Sequence, residues 1–442
     1  MSDPESNRRQ LGLFSATNAV IATMIGAGIF GATGGFAHKL GTDTNVLLVW
    51  LFCGLLALTG ALSLGELGGM MPKGGGSYTY NRHIYGPTAG YLSGVLSWLL
   101  AFVGAAAYVT LLLGHHVQLL APSVPPPITA ALVVGVFSVI HCTGLRQGTW
   151  VNNAFTVFKV GVIVAFIAAG FSVPAKAVPV AVVSDPGILS APFAAAMISA
   201  SFAYLGWETT TWIGGEVANA RRNLPLSLIV GTLFVTTLYL LLNMVYLRAL
   251  PAAAMMGESG QGLQGIGQHA ANILFSGNVS QWFNLMIIVV LLSTTSTIIM
   301  VGARILQAMA AEGQLPAWVR RRNRRDVPAN AILIQAIALV TFIGAASTHQ
   351  NTDKILLFIG LPTTFIMGGA VLGVLLLRSR ERNRDRPFRV PLYPLPPLLF
   401  VALAAWMVIS TIQYEWRASL GSAVLVVIVW ALKPVLASRS QD

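Results

Sequence analysis

Lys159 is the residue in this sequence whose chemistry is hardest to satisfy. It lies about nine residues into the apolar run Val151–Phe171, too deep for its ammonium to reach either end by stretching the side chain. It therefore needs acceptors from neighbouring segments, either for packing alone or for a working role in the interior. Glu208 is its acidic counterpart, well inside an apolar run, whereas Glu66 and Glu216 fall near the ends of theirs. Following directly on Gly206-Trp207, its carboxyl could gain and lose a proton in a functional cycle, or be permanently hydrogen-bonded and steady an irregular backbone. Gly26-Ala27-Gly28 also allows two readings. One is close helix packing, which most of the 44 glycines must serve. The other is a broken helix, whose freed N–H groups and half-helix N-terminus would receive a carboxylate while nearby carbonyls receive an ammonium. Ser293, Thr294, Ser296 and Thr297 form a hydroxyl cluster in a further apolar run. Hydroxyls of this kind often bond back to their own helix, so alone they assign nothing.

The elements that must position these residues follow from composition. Of the 442 residues 55% are hydrophobic and 10% charged, where a soluble domain carries about a quarter charged residues. Such a chain belongs in a bilayer. Apolar stretches of about 17–25 residues, long enough to cross the hydrocarbon as helices, recur from end to end and leave no room for a separate soluble domain. The polar segment Met1–Gln10 is followed by a glycine-interrupted run longer than a signal peptide, so no cleaved signal is expected. Cys53 and Cys142 lie far apart inside apolar runs, without metal-ligand spacing, and read as ordinary buried thiols. The net charge of +12 would suggest nucleic acid in a soluble protein; here it sits in short loops beside apolar runs and reports membrane topology, so no nucleic-acid partner is expected.

Twelve transmembrane helices are predicted. The first six are Leu11–Phe36, Val46–Gly65, Thr88–Leu113, Ile128–Thr143, Val151–Phe171 and Ser190–Gly215. The second six are Leu226–Leu247, Trp282–Ala310, Ala329–Ala346, Ile355–Leu377, Leu395–Gln413 and Ala418–Leu436. With the tail 1–10 in the cytoplasm, of the 27 Lys+Arg only Lys39, Lys176, Arg248, Lys354 and Arg417 fall on the far side, and Lys159 lies within a span. Both termini are therefore expected in the cytoplasm, and the arginine-rich loops Arg320–Arg325 and Arg378–Arg389 read as orientation signals, with anionic lipid as a further contact. The two most glycine-interrupted spans, the first and the sixth, are five helices apart and so cross in opposite directions. That offset predicts an all-α fold of two inverted five-helix repeats, 11–171 and 190–377, with broken helices 1 and 6 and two further helices over 395–436.

Several ordered motifs then resemble a known family. Ile25–Phe30 (IGAGIF), Glu66–Tyr80 (ELGGMMPKGGGSYTY) and Phe202–Trp207 (FAYLGW) followed by Asn223–Pro225 (NLP) are similar to the amino acid–polyamine–organocation superfamily over almost the whole chain. His141–Arg146 (HCTGLR) with Phe155–Lys159 (FTVFK), Gly302–Arg304 (GAR) with Glu312–Pro316 (EGQLP), and Arg386–Tyr393 (RPFRVPLY) look like the L-type and related bacterial amino-acid permeases. The resemblance implies a carrier of the inner cell membrane with substrate between helices 1 and 6. The substrate-binding residues would be Met24, Ile25, Gly26, Ala27, Gly28, Phe202, Ala203 and Leu205. On matching positions, the amides of Ala27 and Gly28 would take the carboxylate, the carbonyls of Met24, Phe202 and Leu205 the amino group, and Phe202 would serve as aromatic lid. Lys159 matches the lysine of sodium-independent members, with Ser293 or Ser296 as its implied partner.

Two departures bear on substrate class. Gly-Ala-Gly replaces the common Gly-Ser-Gly, and Glu208 resembles the glutamate of the arginine/agmatine antiporter, whose gating tyrosine Tyr91 would match. The expected activity is sodium-independent transport of neutral amino acids, by exchange or proton symport, with cationic antiport through Glu208 as the alternative. The predicted external loop His115–Pro127 has no cysteine, so no disulfide-linked heavy subunit is expected. A channel would need a ring of filter residues, and an enzyme a convergent cluster that the lone His141 does not supply; neither enzymatic activity nor a cofactor or metal is expected.

Overall fold

The computed structural model describes residues 11–26, 28–174, 185–188, 190–255, 263, 265–275, 279–347, 352–414 and 416–437. Helices α1 (Leu13–Met24) and α2 (Gly28–Leu40) are two halves of one apolar run, bent by 41° at the glycine pair. α3 (Asp43–Met70) begins at Thr42, whose hydroxyl accepts the Asn45 N–H at 3.2 Å, with Asp43 placed to favour the helix N-terminus. α4 (Gly76–Tyr85) leads into α5 (Pro87–Leu96), which passes through the π-helical stretch Ser97–Gly104 into α6 (Ala105–Gln118). α7 (Pro126–Cys142) and α8 (Leu145–Ser172) follow. α9 (Ala191–Ala203) is capped by Ser190, whose hydroxyl accepts the Phe193 N–H at 3.3 Å, and is succeeded by the short α10 (Thr209–Trp212). The remaining helices are α11 (Ala220–Ala249), α12 (Ile266–Leu274), α13 (Val279–Ala311), α14 (Ala329–Ala346), α15 (Thr352–Arg380), α16 (Leu395–Tyr414) and α17 (Trp416–Ala437).

Among the described residues, seven helices are long and apolar enough to cross a bilayer, and an eighth if α1 and α2 count as one bent span. Pro126–Cys142, Pro192–Ala203, Leu395–Ser410 and Ser419–Pro434 are shorter apolar helices. This is an all-helical, multi-pass membrane protein. Each predicted run overlaps a helix, and Ala329–Ala346 coincides with α14. Two helices were not expected. α4 is short and polar, and α12 is a nine-residue amphipathic turn, so neither produces an apolar run.

α13 is the central post: 78% of its apolar span is buried against 28% for α14, and it packs on α1, α6, α7, α8 and α14. Outer faces of α7, α8, α14 and α17 carry exposed Leu132, Val157, Phe158, Ile337 and Val427, a surface suited to hydrocarbon.

The Arg378–Arg389 stretch is more than an orientation signal. Glu66, buried near the end of α3, accepts from Arg378 Nε at 2.9 Å and Arg378 Nη2 at 2.5 Å, accepts the Val390 N–H at 2.8 Å, and lies 3.2 Å from Arg386 Nε. Arg378 also stacks over Tyr393 at 3.8 Å. A buried carboxylate must be paired, and here it pins the loop after α15 to α3. Glu66→Gln is expected to lower the thermal midpoint in detergent by the equivalent of about 1–3 kcal/mol, since it removes the charge-assisted bonds from the partly exposed Arg378 and the ion pair with Arg386. An unchanged midpoint would show that this carboxylate does not hold the loop.

Candidate functional site

The break between α1 and α2 begins with one diverted hydrogen bond. Ile25 N–H still reaches Ile21 O at 3.0 Å, but Gly26 N–H turns back to Met24 O at 2.9 Å instead of continuing the ladder to Ala22 O. Among the described residues the Ala22 carbonyl is thereby left without its helical donor, and the Ile25 carbonyl, at the break itself, also lacks one. Lys159, on α8 and fully buried, supplies them: its Nζ donates to Ala22 O and Ile25 O, both at 2.9 Å, and to Thr294 Oγ1 at 3.4 Å. Thr294 Oγ1 in turn lies 2.8 Å from Ile25 O and 3.0 Å from Val290 O, acceptors between which its single proton is shared.

Three elements thus meet at one ammonium, but the implied hydroxyl partner has to be corrected. It is Thr294, not Ser293 or Ser296. Successive residues on a helix point about 100° apart, so with Thr294 facing α1 its neighbour Ser293 and, two residues on, Ser296 are turned away. Ser296 Oγ sits 3.1 Å from His141 Nε2 on α7, while Ser293 Oγ is buried with no partner among the described residues. Thr297 Oγ1 donates to Asn152 Oδ1 on α8. The cluster staples α13 to three neighbours.

At the second break, α9 ends on Ala203, and the chain tightens through Tyr204 N–H to Ser201 O at 3.0 Å and Leu205 N–H to Phe202 O at 3.2 Å. Gly206 has φ of +104°, a conformation that side chains with a Cβ rarely adopt, and α10 restarts as Thr209 N–H donates to Gly206 O at 3.0 Å. The two breaks seat on each other. A Cβ at Gly28 would fall 2.7 Å from Ala203 Cβ and 2.9 Å from Ala203 Cα, and one at Gly206 would fall 2.7 Å from Thr23 Cβ. Ala27 lies outside the described residues.

The expected ammonium acceptors are not equally open. Met24 O already accepts from Gly26 N–H and from the Tyr239 hydroxyl at 2.6 Å, so both lone pairs are engaged. Phe202 O accepts within its own turn, and the Phe202 ring packs edge-on against Tyr108 with centroids 6.1 Å apart. Among the described residues no donor reaches Leu205 O.

Glu208 is buried beside the turn, and its Oε2 has no partner among the described residues; the nearby Trp212 Nε1 is likewise unpaired. The Glu208 carbonyl, not its carboxyl, accepts the Thr211 N–H at 2.9 Å. Tyr91 is buried on α5 with its hydroxyl unpaired among the described residues, and α5 packs on α4, α13, α15 and α17 instead of either break. At the end that the charge pattern assigns to the cytoplasm, the start of α1 is joined to the segment after α10. Leu11 N–H donates to Glu216 O at 3.0 Å, Ala218 N–H donates to Leu11 O at 2.9 Å, and the buried Glu216 carboxylate pairs with Arg304 Nε at 3.3 Å. Sequence reasoning missed Tyr239, because a tyrosine in an apolar run carries no positional signal. It quoted Thr294 and His141 without their roles, which depend on which helix each faces.

Among the described residues no group of three or more His, Cys, Asp or Glu could hold a metal ion. What the site offers is backbone polarity at two paired helix breaks, one fixed ammonium and one buried carboxyl with an oxygen unpartnered among the described residues. The chain is similar to known transporters. The sequence is 29% identical over 429 residues to the serine/threonine exchanger SteT of Bacillus subtilis, covering 95% of this chain and 94% of that protein. It is 27% identical over 431 residues to the b(0,+)-type amino acid transporter 1 of Homo sapiens, covering 92% and 83%. It is 26% identical over 463 residues to the Asc-type amino acid transporter 1 of Homo sapiens, covering 98% and 84%. Residues 11–432 match the amino acid permease family as a whole. With that match spanning nearly the entire chain and its relatives transporters, not enzymes, the protein belongs to the amino acid permease family and is an amino-acid transport protein of the membrane.

Proposed function

We propose that the chain is a sodium-independent, alternating-access carrier of neutral amino acids, working by exchange or proton symport. The observation that carries this reading is the Lys159 ammonium on the freed carbonyls of Ala22 and Ile25, because a fixed cation already satisfies acceptors that a transported cation would otherwise coordinate. The exchanger name of the Bacillus subtilis relative supports exchange. Substrate would bind between the breaks, its carboxylate at the N-terminus of α2 and its ammonium at carbonyls of the two broken helices. In this reading the bent pair α1–α2, the seven long helices and the four shorter apolar ones make twelve spans. They form two inverted repeats over 11–171 and 190–377 plus 395–436, set in the inner membrane with both termini cytoplasmic. No disulfide-linked subunit is required, since the His115–Pro127 loop lacks cysteine. The test is radiolabelled uptake into proteoliposomes with each amino acid inside or outside, with and without a pH gradient. Counterflow of neutral amino acids without sodium is expected; no amino-acid flux, or flux only with sodium, would overturn the proposal.

The Glu208 carboxyl, buried with Oε2 unpartnered among the described residues, favours a second reading, in which it couples protons or selects a cationic substrate. Glu208→Gln is then expected to remove the ionisation step from the pH profile of uptake while leaving the protein folded. A mutant profile that overlays the wild type would return Glu208 to a structural role.

A further inference from the structure

Helices α7 and α14 leave an apolar groove on the outside of the bundle. Its volume is about 780 Å³, and it is lined by Ile128, Leu132, Gly135 and Val139 of α7 and by Val340 and Gly344 of α14. The four α7 residues recur every three or four positions and so share one face, over roughly 16 Å of helix axis. The two glycines are not there for close packing: a Cβ added at either would meet nothing within 4 Å, so both face open space. At this depth the groove meets hydrocarbon, and one leaflet of a core about 30 Å thick supplies acyl chains that reach about 15 Å, the length of the groove.

One end of the groove runs into the first arginine-rich loop. Val139 lies one helical turn before Cys142 and Thr143, where α7 ends. Asn323 Nδ2 donates to Cys142 O and Arg325 Nη1 to Thr143 O, both at 2.9 Å. Asn323 also folds the loop, its Oδ1 accepting the N–H of Arg325 at 2.9 Å and of Val327 at 3.1 Å. Arg324 and Arg325 are thus held, exposed, against the end of α7. Asp326, the acid of this loop, is paired with Arg322 at 3.1 Å, and among the described residues neither Arg324 nor Arg325 has a carboxylate partner. Arg325 spends one guanidinium hydrogen on Thr143 O and keeps the others for an anion. Trp318, exposed in the same loop and tied to the start of α14 by Asn330 Nδ2 on its carbonyl at 2.8 Å, is a residue type suited to headgroup depth.

We propose that the groove between α7 and α14 binds one phospholipid with an anionic headgroup, its acyl chain along the groove and its phosphate on Arg324 and Arg325. The apolar lining gives no preference among lipids. The two guanidinium groups do, because they offer charge-assisted bonds to a phosphate whose charge no choline offsets. A second copy of the chain, or a foreign helix, could fill the groove but would leave the arginines without an anion. The bound lipid braces two helices that both pack on α13. The site requires only that the chain lie in a membrane, whatever substrate it carries.

The test is native mass spectrometry of the full-length protein in detergent with equal amounts of phosphatidylglycerol and phosphatidylcholine. One phosphatidylglycerol is expected to be retained in preference to phosphatidylcholine by about fivefold for each arginine, about 25-fold in all. Arg324→Gln with Arg325→Gln is expected to abolish that preference. Arg382→Gln with Arg389→Gln, an equal loss of charge from exposed positions in the other arginine-rich loop, is expected to leave it unchanged. Gly135→Leu fills the groove from a position where a Cβ meets no neighbour, and is expected to lower phosphatidylglycerol retention at least about tenfold by displacing methylenes of the acyl chain. Should it not be recovered folded, Gly344→Leu, equally open at Cβ, is read in its place. Equal retention of the two lipids, the same loss from both arginine pairs, retention untouched by leucine in the groove, or a dimer that this leucine dissociates would each overturn the proposal.

Discussion

Replacing Lys159 with Ala is expected to abolish transport while the protein still folds, and wild-type uptake is expected to be the same in sodium and in choline buffer. The ammonium is the donor shared by Ala22 O and Ile25 O, the carbonyls released where Gly26 turns back. Thr294 can donate to only one acceptor at a time, so its loss of a partner leaves at least one buried carbonyl unpaired. An unpaired buried acceptor costs about 1–3 kcal/mol, which is about five- to 150-fold in any conformation that needs the break closed. A bound sodium would require those same carbonyls and would stand against a fixed positive charge in a low-dielectric interior. Lys159→Met separates charge from bulk: it refills the volume without a donor, and is expected to fail as Lys159→Ala does. Full activity in either variant, or a strong sodium requirement in the wild type, would sink this account.

Gly28→Val is expected to eliminate measurable substrate binding. A Cβ there would lie 2.7–2.9 Å from Ala203, inside the closest approach of real carbon atoms, and the added methyls of valine enlarge the clash. The loss has two possible sources with different signatures. If bulk at Gly28 blocks close approach of the α2 amides to the carboxylate, affinity stays low whatever residue faces it. If bulk only forces α1–α2 and α9 apart, the smaller Gly28→Ala combined with Ala203→Gly recovers binding, and the coupling shows as non-additivity in a double-mutant cycle. Retention of affinity within about twofold in Gly28→Val, under about 0.5 kcal/mol, would mean that the substrate lies elsewhere.

A broken helix leaves a different trace in a sequence from a hydrogen-bond network. The apolar spans were legible because hydrocarbon demands continuous runs of a definite length, and the two breaks because glycine interrupts those runs. Lys159 and Glu208 stood out because an ionisable residue in an apolar run is costly and therefore conspicuous. The same rule drew attention to Glu66 and Glu216 only as residues near run ends. That their partners are Arg378 with Arg386, and Arg304, far along the chain, required the fold.

The sequence by itself determined the class of protein and the approximate limits of its helices, marked two runs as glycine-interrupted, and singled out a lysine that needed acceptors from neighbouring segments. These are properties of local composition, which reach the reader one segment at a time. Only the tertiary structure decided which hydroxyl meets Lys159, that the breaks at Gly28 and Gly206 pack on each other, and that Tyr239 joins their last carbonyls. Each of these depends on the rotation of one helix about its axis relative to another. With 78% of the residues in the apolar stretch of α13 buried, no hydrophobic period marks the side that Thr294 occupies. That orientation is fixed by packing against α1, α7 and α8, where a turn of 100° exchanges one residue of the cluster for the next.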